Sequence, residues 1–483
     1  MATVLVLGAG IAGHTAAMHA RRKLGKEHRV VVVTPNANWN WIPSNIWVGV
    51  GSMKAEKVVF PLAPLYRRKG IKYIQALATK IHPEGSAEHP KPFVVAQSTT
   101  DDQAEQAIEY DYLINCTGPK LNFEATPGLG PDAGYTHSIC TPGHALEAAK
   151  ALRVAIDRMK AGEKLRLVIG TGHGTCTCEG AAFEYTLNLE QVIREAGVRQ
   201  NAQVVYLTNE AALGDFGVGG LMLTQQGFQT ESSLWTGSLF RERGIEPILG
   251  AHVSQVSQDS ITYEQLDGTI HQLEYDFAML LPPFRGADLK AFDASGQDIS
   301  DQVFNPAGFM KVDANYAAGS HENWQADDWP KTYQTPAFSN IYAAGIAFAP
   351  PHQISQPRSS PNGTVITPAP PRTGMPSGMI ARAVTDTVID RIKGKNRPAH
   401  AASLTRMGAA CVASAGTGAF KGSAAAMTMH PVVPDWDKYP ETGRDVKGTS
   451  GEIGLAGHWI KAMLHHLFIY KAKARPLWWL IPE

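Results

Sequence analysis

The chain has no excess of charge of either sign, since its 483 residues include 44 lysines and arginines and 44 aspartates and glutamates. A protein that binds nucleic acid through its phosphates usually concentrates basic residues on one surface. No basic stretch with interleaved aromatic residues occurs here. The sequence therefore argues against nucleic acid as a partner.

Long apolar runs are also missing. No stretch reaches the roughly 18 uninterrupted apolar residues that a membrane-spanning helix needs, so we expect no such helix. The first core strand is expected to begin by Thr3. This leaves no room for a cleavable signal peptide with a basic start and an apolar middle, and we expect none.

Cysteine is scarce. Five cysteines in 483 residues are too few for a disulfide scaffold. Cys176 and Cys178 have no second pair nearby to complete a tetrahedral zinc site, so we expect no metal. Packing and redox chemistry remain as the roles open to these thiols.

The N-terminal residues TVLVLGAGIAGHTAAMHARR are typical of a strand, a glycine turn and a helix. Gly8 permits the tight turn, Gly10 lets the backbone approach a pyrophosphate, and Gly13 allows the helix to pack closely on the strand. A second strand is expected at residues 29–35, as a βαβ unit requires. The pattern predicts a dinucleotide-binding domain. Thr34 stands where an acidic residue often binds the ribose, which leaves the ribose contact unassigned.

A second unit of the same type is predicted farther along the chain. The strand and turn LRLVIGTGHGTCTCEG lead into the helical pattern AAFEYTLNLEQVIREAG, and another strand is expected at residues 203–209. This turn carries His173, Cys176, Cys178 and Glu179 where a pyridine nucleotide would need small residues and free backbone amides. We therefore expect no NAD there. The chain is expected to return to the first domain at residues 339–351 and to form a surface loop at residues 352–374.

The C-terminal segment IGLAGHWIKAMLHHLFIYKAKARPLWWLIPE predicts an amphipathic helix. His458, Lys461 and His465 are expected opposite one broad apolar face, whose members are Trp459, Ile460, Met463, Leu464, Leu467 and Phe468. A cluster of cations and the pair Trp478 and Trp479 follow, which is typical of a helix at a headgroup interface. A helix packed on the protein core is the alternative. We favour peripheral membrane contact.

Five motifs in sequence order resemble those of sulfide:quinone oxidoreductases, a family of flavoproteins with two dinucleotide-binding domains. They are WNWIPSNIWVGVG, HSICTPGHA, CEGAAFEY, RTGMPSGM and AACVASAGTGA. The resemblance implies oxidation of sulfide to sulfur or polysulfide through a cysteine disulfide or persulfide bridge and FAD. It implies a membrane quinone as the electron acceptor.

By this resemblance, Cys178 and Cys411 flank the flavin and form the bridge that accepts sulfide sulfur. Cys140 corresponds to a third cysteine, which in some members bonds the flavin covalently or relays sulfur. His144 and Glu184 match the acid/base positions of the family. Cysteine suits this chemistry, because a thiolate is the nucleophile toward a disulfide sulfur.

Several of these assignments have alternatives. Cys176 could replace Cys178 in the bridge, although the Gly-Ala-Ala-Phe-Glu stretch that follows favours Cys178. Cys116 is expected to be a packing residue. In place of an acid/base role, His144 could merely cap a helix, and Glu184 could be a solvated side chain.

The resemblance also implies cofactor and quinone contacts. FAD is expected at Gly8, Gly10, Gly13, Pro43, Ser44, Asn45, Thr117, Gly118, Gly345, Arg372, Thr373 and Gly374. Quinone contacts are assigned by region only, to Phe420, Trp459, Leu464 and Phe468. Two positions depart from the family pattern. Arg372 replaces a lysine, which changes the hydrogen-bond geometry, and Asp215 replaces a histidine.

The implied fold is α/β and glutathione-reductase-like, with two Rossmann-like domains. The FAD-binding domain is discontinuous, at residues 1–118 and 285–395, and the second domain spans residues 119–284. Residues 396–483 form a C-terminal membrane-associating helical region that also contacts quinone. We expect a homo-oligomer attached peripherally to a bacterial inner membrane, on a face that the sequence leaves open.

Three other functions would fit parts of this sequence. A type II NADH:quinone dehydrogenase is disfavoured by the crowded second turn and by the cysteines. The flavin subunit of a flavocytochrome sulfide dehydrogenase is disfavoured by the expected lack of a secretion signal. A catalytically silent flavoprotein that acts as a membrane-bound interaction or sensor module is the alternative from a different class.

Overall fold

The structure is a computed structural model that describes residues 1–100, 104–317, 321–416 and 422–483. Its α-helices are α1 (Ile11–Lys23), α2 (Asn45–Gly49), α3 (Leu62–Lys69), α4 (Pro142–Lys160), α5 (Glu179–Glu195), α6 (Ser232–Arg243), α7 (Ser300–Val303), α8 (Gly374–Ile392) and α9 (Leu455–Ala472). Short 3-10 helices lie at Ile42–Ser44, Ala55–Lys57, Phe123–Ala125, Arg199–Asn201, Ala326–Asp328 and Trp478–Leu480.

The strands of the N-terminal third are β1 (Thr3–Leu7), β2 (Arg29–Thr34), β3 (Asn38–Asn40), β4 (Val59–Pro61), β5 (Lys72–His82), β6 (Phe93–Ser98), β7 (Glu105–Glu109), β8 (Tyr112–Asn115) and β9 (Lys120–Leu121). The middle of the chain forms β10 (Leu165–Thr171), β11 (Ala202–Leu207), β12 (Met222–Gln225), β13 (Phe228–Glu231), β14 (Ile245–Ile248), β15 (Ala251–Val256), β16 (Ser260–Gln265), β17 (Ile270–Glu274), β18 (Phe277–Leu281), β19 (Phe284–Arg285) and β20 (Lys290–Ala291). The remaining strands are β21 (Ile341–Ala343), β22 (Ala409–Ala415), β23 (Ser423–Met429) and β24 (Ser450–Gly454).

The first domain is built on an eight-stranded sheet ordered β21-β8-β1-β2-β5-β6-β7, with β20 beside β5. β1 pairs in parallel with β2 and β8, and β21 pairs in parallel with β8. Every residue of β1 is buried, as expected for a central parallel strand with both faces covered. The chain is back in this sheet by β20, and β21 joins it within residues 339–351, where a strand of this domain is expected from the sequence.

The second domain contains a parallel sheet ordered β14-β11-β10-β18 and an antiparallel sheet ordered β15-β16-β17. Helix α5 follows β10 and packs against both β10 and β22. Since β22 belongs to the C-terminal region, the start of α5 lies where two parts of the chain meet.

A five-stranded sheet ordered β13-β12-β24-β23-β22 occupies the C-terminal region, together with α9. The hairpin β12–β13 reaches it from the second domain. Only helix was expected here, because strands rich in alanine, such as AACVASA and SAAAMTM, have low β-propensity. Pairing with neighbouring strands overrides that local preference.

Residues 352–374 are not a simple surface loop, and that prediction was wrong. Ile354, Ser355, Ile366 and Thr367 are buried. Glu264 on β16 accepts hydrogen bonds from this segment, including one of 2.7 Å from Thr364 Oγ1. The segment packs on the second domain because its apolar and hydroxyl side chains find partners there.

Buried Arg444 connects the C-terminal region to the second domain. Its guanidinium donates to the carbonyl oxygens of Pro431 and Val432, at 3.1 and 3.0 Å, and of Val218 and Gly220, at 2.8 and 3.0 Å. Burial lowers the pKa of Arg444 to about 10. The five N–H donors of arginine suit four carbonyl acceptors in one pocket.

Replacing Arg444 should destabilise the protein. We expect Arg444→Met to lower the free energy of unfolding by about 2–4 kcal/mol, because buried carbonyls would lose charge-assisted hydrogen bonds. Urea denaturation followed by tryptophan fluorescence measures this change. The matched control is Arg406→Met, at an exposed position of the same region. Equal stabilities of the two variants would contradict the expected role of Arg444.

Candidate active site

The first glycine turn has the shape that a dinucleotide requires. Gly8 has a φ of +90°, and a Cβ there would lie 2.2 Å from the carbonyl oxygen of Cys116. A Cβ on Gly13 would lie 2.1 Å from the carbonyl oxygen of Gly8, whereas a Cβ on Gly10 would have nothing within 4 Å. The turn is therefore closely packed on its protein side and open at Gly10, which fits a pyrophosphate above the start of α1.

A second helix begins beside this turn. A Cβ on Gly374, the first residue of α8, would lie 3.0 Å from Ile11 Cδ1 at the start of α1. Gly345 has a φ of +70°, and a Cβ there would lie 2.6 Å from Ala12 Cβ. Two helix N-termini with positive dipole ends thus meet where the sequence analysis places the cofactor. Gly118 is open as well, with nothing within 4 Å of a Cβ. These residues fit FAD.

The Pro-Ser-Asn motif holds parts of the chain together. Ser44 Oγ lies 2.9 Å from His465 Nδ1 of α9. Asn45 Nδ2 donates to the carbonyl oxygen of Ile139 at 3.2 Å, directly before Cys140. These side chains position α9 and the Cys140 segment. The proposed FAD contacts of Pro43, Ser44, Asn45, Thr117 and Thr373 stay predictions.

Three partly exposed thiols lie around the start of α5. Cys178 is the N-cap residue of α5. Cys411 on β22 has its Sγ 3.3 Å from the position of a Cβ on Gly180, in the first turn of that helix. Cys140 is close enough for its charge to raise the pKa of Cys178. All three are free thiols in this structure. The structure therefore brings together the three cysteines that the sequence analysis selected.

Cys178 has an unusual backbone conformation. Its φ of 71° and ψ of 32° lie in the left-handed region, which is unfavourable by roughly 1–2 kcal/mol for a residue with a Cβ. Such strain persists where the surrounding structure enforces it, often at functional sites. Cys176 differs, because it is fully buried and its Sγ donates to the carbonyl oxygen of Leu281 at 3.1 Å. This contrast favours Cys178 as the reactive thiol. Cys116 is also buried, as expected for a packing residue.

Burial keeps the three thiols neutral. It raises the pKa of Cys178 to about 12 and the pKa values of Cys140 and Cys411 to about 11. A nearby cation opposes this effect at two of them, namely Arg372 at Cys178 and Lys461 at Cys411. The thiols are thus stable when protonated, and a thiolate formed there has a positive neighbour.

Arg372 is fixed beside Cys178. Its Nη1 donates to the carbonyl oxygens of Ile346 and Phe348 at 3.0 and 3.1 Å. Its guanidinium also lies 4.5 Å from the centre of the Phe309 ring. Burial lowers the pKa of Arg372 to about 10. Arg372 is thus bonded to carbonyls, which leaves its charge available to an anion.

Glu184 is buried in a network that the sequence analysis did not foresee. Its Oε2 forms a 2.9 Å ion pair with Lys461 Nζ of α9, and its Oε1 accepts from the Ser414 backbone N–H and hydroxyl at 3.1 and 2.6 Å. Trp47 Nε1 donates to Ser414 Oγ at 2.9 Å. The alternative of a solvated Glu184 was wrong. Lys461 and Ser414 were missed. The sequence held one sign of this role for Lys461, namely its position opposite the apolar face of α9.

His144 does not cap a helix. Thr141 is the N-cap residue of α4 and accepts a hydrogen bond of 3.1 Å from the His144 backbone N–H. The His144 ring lies against Phe123, with ring centres 5.9 Å apart, and its Nε2 is 3.9 Å from Asp132 Oδ2. The capping alternative was therefore wrong, and the acid/base role of His144 stays a prediction.

The second glycine turn is closed. The backbone N–H groups of Gly172 and Gly174 donate to Leu281 O and His252 Nδ1, at 2.8 and 3.0 Å. A Cβ on Gly172 would lie 2.5 Å from Leu129 Cδ1, and a Cβ on Gly174 would lie 2.4 Å from Val365 O. The amides that would hold a pyrophosphate are therefore occupied, and the segment 352–374 covers the turn.

Helix α9 presents its apolar face outward. Trp459, Ile460 and Met463 are exposed, whereas Lys461 and His465 are buried. The alternative of an apolar face packed on the core was therefore wrong for these three residues. In the described part of the chain, no helix is both long and apolar enough to cross a membrane.

The predicted quinone contacts lie in different surroundings. Trp459 is exposed, Leu464 is partly buried, and Phe468 stacks on Trp41 with ring centres 4.9 Å apart. Phe420 lies outside the described residues. Trp478 and Trp479 were predicted to lie together at a lipid headgroup interface. Trp478 does not, because its side chain is buried against His19.

A family profile for pyridine nucleotide-disulphide oxidoreductases matches residues 2–345. The chain belongs to this family. The α/β fold, the oxidoreductase class and the resemblance to sulfide:quinone oxidoreductases are confirmed by the comparisons.

Individual relatives support this family assignment. A sulfide-quinone reductase of Aquifex aeolicus (strain VF5) is 28% identical over 470 residues, which are 97% of this chain and 91% of that protein. The X-ray structure of the sulfide:quinone oxidoreductase from Aquifex aeolicus superposes with a TM-score of 0.75 and 26% identity, over 98% of this chain and 92% of that one. The external alternative NAD(P)H-ubiquinone oxidoreductase B4 of Arabidopsis thaliana is 29% identical over 27% of this chain and 22% of that protein.

The closed second turn predicts that NADH neither binds nor reduces the enzyme. Anaerobic mixing of the FAD-loaded protein with NADH should leave the flavin absorbance unchanged, because the Gly172 and Gly174 amides are already hydrogen-bonded within the protein. A fluorescence titration with NADH checks binding independently. Rapid loss of flavin absorbance with NADH would contradict the closed turn and would favour an NADH dehydrogenase.

Proposed function

We propose that the chain is a sulfide:quinone oxidoreductase that oxidises sulfide to sulfur or polysulfide and reduces a membrane quinone. The observation that carries this proposal is the convergence of three partly exposed thiols at the start of α5, beside a second glycine turn whose Gly172 and Gly174 amides are already hydrogen-bonded. A donor other than a pyridine nucleotide is then needed, and sulfide is the reductant that reacts with a bridge of cysteine sulfurs.

FAD would be held by the first glycine turn at Gly8, Gly10 and Gly13 and by the start of α8 at Gly374. When bound, FAD supplies an acceptor for two electrons. The helix N-termini compensate the negative pyrophosphate. The Arg372 guanidinium is positioned by Ile346 and Phe348 to offset negative charge near Cys178.

Sulfide acts on a disulfide between Cys178 and Cys411. The sulfur of HS⁻ forms a bond to Cys411 Sγ, the S–S bond breaks, and its electron pair stays on Cys178 as a thiolate. Arg372 favours the negative charge at Cys178, since its hydrogen bonds go to backbone carbonyls. The charge of Lys461 beside Cys411 is largely balanced by Glu184. The thiolate is therefore better placed on Cys178 than on Cys411.

Glu184 is the base for the sulfur that Cys411 receives. Lys461 and Ser414 hold the Glu184 carboxylate in place, and its negative charge raises the pKa of Cys411. A carboxylate at this place can take the proton of the Cys411 persulfide when its outer sulfur bonds to Cys178, a step that would release two electrons to FAD, and repeated cycles would lengthen the sulfur chain. Cys140, near Cys178, is the thiol to which sulfur would be relayed.

The exposed face of α9 is the membrane contact. Exposed apolar side chains cluster on and around this helix, namely Ile42, Ile453, Trp459, Ile460, Met463, Tyr470, Leu477 and Leu480. Exposed Arg67 and Arg68 lie on the last turn of α3 beside the end of α9, where Arg68 Nη2 donates to the carbonyl oxygen of Lys473 at 3.4 Å. A broad apolar surface beside cations suits an anionic lipid surface. Attachment to a bacterial inner membrane and a homo-oligomeric state belong to the same proposal.

Cysteine variants test the sulfur chemistry. We expect Cys178→Ser and Cys411→Ser to slow flavin reduction by sulfide about a thousandfold or more, because either change removes the bridge. Cys140→Ser should give an intermediate rate. Anaerobic stopped-flow absorbance of the flavin is the measurement.

Cys176→Ser is the matched control, since Cys176 is two residues from Cys178 but buried and bonded to Leu281 O. It should keep most of the activity. Equal loss from Cys176→Ser with little effect of Cys178→Ser would reverse the assignment of the bridge. A wild-type flavin that sulfide does not bleach, with no reduction of quinone, would refute the proposed function itself.

Lipid binding tests the role of α9. We expect Trp459→Asp to weaken binding to anionic vesicles about tenfold or more, because a buried apolar side chain contributes roughly 1.5–3 kcal/mol. Vesicle co-sedimentation measures the effect. The control is Val154→Asp, an exposed apolar position on α4. If both variants bind vesicles as the wild type does, α9 is not the membrane contact.

A further inference from the structure

The segment that follows α9 packs back on the FAD-binding domain. We call residues 473–483 the C-terminal tail. Its Trp478 side chain is buried against His19 of α1, with ring centres 4.8 Å apart. A Cβ on Gly378 of α8 would lie 3.2 Å from Glu483 Oε2. The tail therefore contacts α1 and α8 together, and the reaction proposed above uses none of these contacts.

The carboxylate of Glu483 is the centre of these contacts. Its Oε2 forms a 2.8 Å ion pair with Lys471 Nζ in the last turn of α9, and its Oε1 accepts from His19 Nε2 at 2.8 Å. Lys471 Nζ also donates to the carbonyl oxygens of Ile481 and Pro482, at 2.9 Å each. The side chains of Glu483, Lys471 and His19 are at most 9% exposed. One buried carboxylate thus joins α9, the tail and α1, and we call this set of contacts the clamp.

Helix α8 joins the clamp through His19. Arg382 Nη1 of α8 lies 3.1 Å from His19 Nδ1 and 3.2 Å from its Nε2. Because Nε2 faces the Glu483 carboxylate and carries the hydrogen, Nδ1 is the atom that accepts from Arg382. Arg382 Nε donates to Asp386 at 3.0 Å, and Asp386 pairs with Lys23 of α1. Polar contacts therefore run from the tail through α1 to α8.

These two helices are the ones that begin at the proposed cofactor site. Gly10 precedes α1, Gly374 begins α8, and the two helix starts lie side by side. A further contact ties the end of α9 to the first turns of α1, since His14 Nε2 lies 2.8 Å from the carbonyl oxygen of Ala472. The tail thus resists separation of the two helix N-termini that fit the pyrophosphate.

The turn that leads into the clamp is strained and exposed. Ala474 and Leu477 have φ values of 50° and 59°, in the left-handed region that is unfavourable for residues with a Cβ. Such strain persists where the surrounding structure enforces it. Leu477 and Leu480 are 57% and 68% exposed. The turn therefore presents apolar side chains to solvent next to the end of α9.

Positive charge surrounds this turn. Arg68 Nη2 at the end of α3 donates to the carbonyl oxygen of Lys473 at 3.4 Å, and the Arg22 guanidinium lies 4.6 Å from the centre of the Trp479 ring. Six cations in or against the turn form no ion pair with the residues that the structure describes, namely Arg22, Arg67, Arg68, Lys69, Lys473 and Arg475. An apolar tip among unpaired cations fits the headgroups of an anionic lipid surface.

We propose that the C-terminal tail couples membrane attachment to the retention of FAD. An anionic lipid surface buries Leu477 and Leu480, steadies the strained turn and thereby holds the clamp on α1 and α8. A ligand shifts an equilibrium only when it binds one state better than the other. Lipid meets this condition, because the two leucines adjoin the apolar face of α9 only while the tail is docked. The inference rests on the membrane contact of the proposed function.

Release of FAD tests this coupling. The FAD-loaded protein is diluted with and without vesicles of phosphatidylglycerol and phosphatidylcholine, and the fluorescence of freed FAD is followed. We expect the vesicles to slow release from the wild type about tenfold, which is a usual size for coupling between two sites. Glu483→Gln should release FAD about tenfold faster than the wild type without vesicles, because Lys471 loses its charged partner. Vesicles should no longer slow its release.

Two further variants sharpen the test. Glu109→Gln makes the same change at an exposed position of the same domain, and it should behave as the wild type does. Leu480→Ser removes part of the lipid contact and leaves the clamp intact. Without vesicles it should release FAD at the wild-type rate. With vesicles it should lose most of the slowing, even at lipid concentrations where co-sedimentation finds all of the protein bound.

Several results would overturn the proposal. They are equal release from the wild type and Glu483→Gln, vesicles that bind the wild type without slowing release, equal slowing in Glu483→Gln, and an FAD that no variant releases. If Glu483→Gln does not fold, the wild type and Leu480→Ser with vesicles decide. A wild type that does not bind vesicles would refute the membrane contact itself. Failure of sulfide to bleach the flavin would instead refute the sulfur chemistry, which FAD release does not involve.

Discussion

The buried ion pair between Glu184 and Lys461 joins the parts on which the site depends. Glu184 belongs to α5, Lys461 belongs to α9, and Ser414 of the Cys411 strand bonds to the same carboxylate. Removing one partner of a buried pair typically destabilises a protein by about 3–5 kcal/mol, because the remaining charge is left uncompensated. The position of Cys411 beside α5 and the orientation of α9 are therefore not independent features.

This pair also explains why α9 has its apolar face outside. An amphipathic helix normally buries its apolar stripe. Here Lys461 and His465 face the protein interior, because they bond to Glu184 and Ser44. Trp459 and Met463 lie on other sides of the helix and are therefore exposed. A surface suited to lipid is thus a consequence of the polar contacts behind it.

Burial separates the thiols into two groups. Cys116 and Cys176 are enclosed by backbone of the two glycine turns, whereas Cys140, Cys178 and Cys411 keep some exposure around the start of α5. The second glycine turn, whose Gly172 and Gly174 amides are hydrogen-bonded within the protein, leads into α5. The first residues of this helix place Cys178 and Glu179.

The sequence by itself determined the nucleotide turn at Gly8, Gly10 and Gly13 and the α/β class. These depend on spacing within short segments, where backbone geometry dictates the residue type. It did not reveal the strands β22 and β23, whose alanine-rich sequences carry little local preference. It also left open whether Cys176 or Cys178 forms the bridge.

Only the tertiary structure decided that Lys461 pairs with Glu184, that residues 352–374 cover the second turn, and that Glu483 meets Lys471 and His19. Each of these contacts joins residues that are distant in sequence, or depends on the direction of a side chain, which the spacing of residues does not fix. The physical reason is burial. Whether a charge is paired or an amide is free depends on what packs against it, and that is settled when the whole chain has folded.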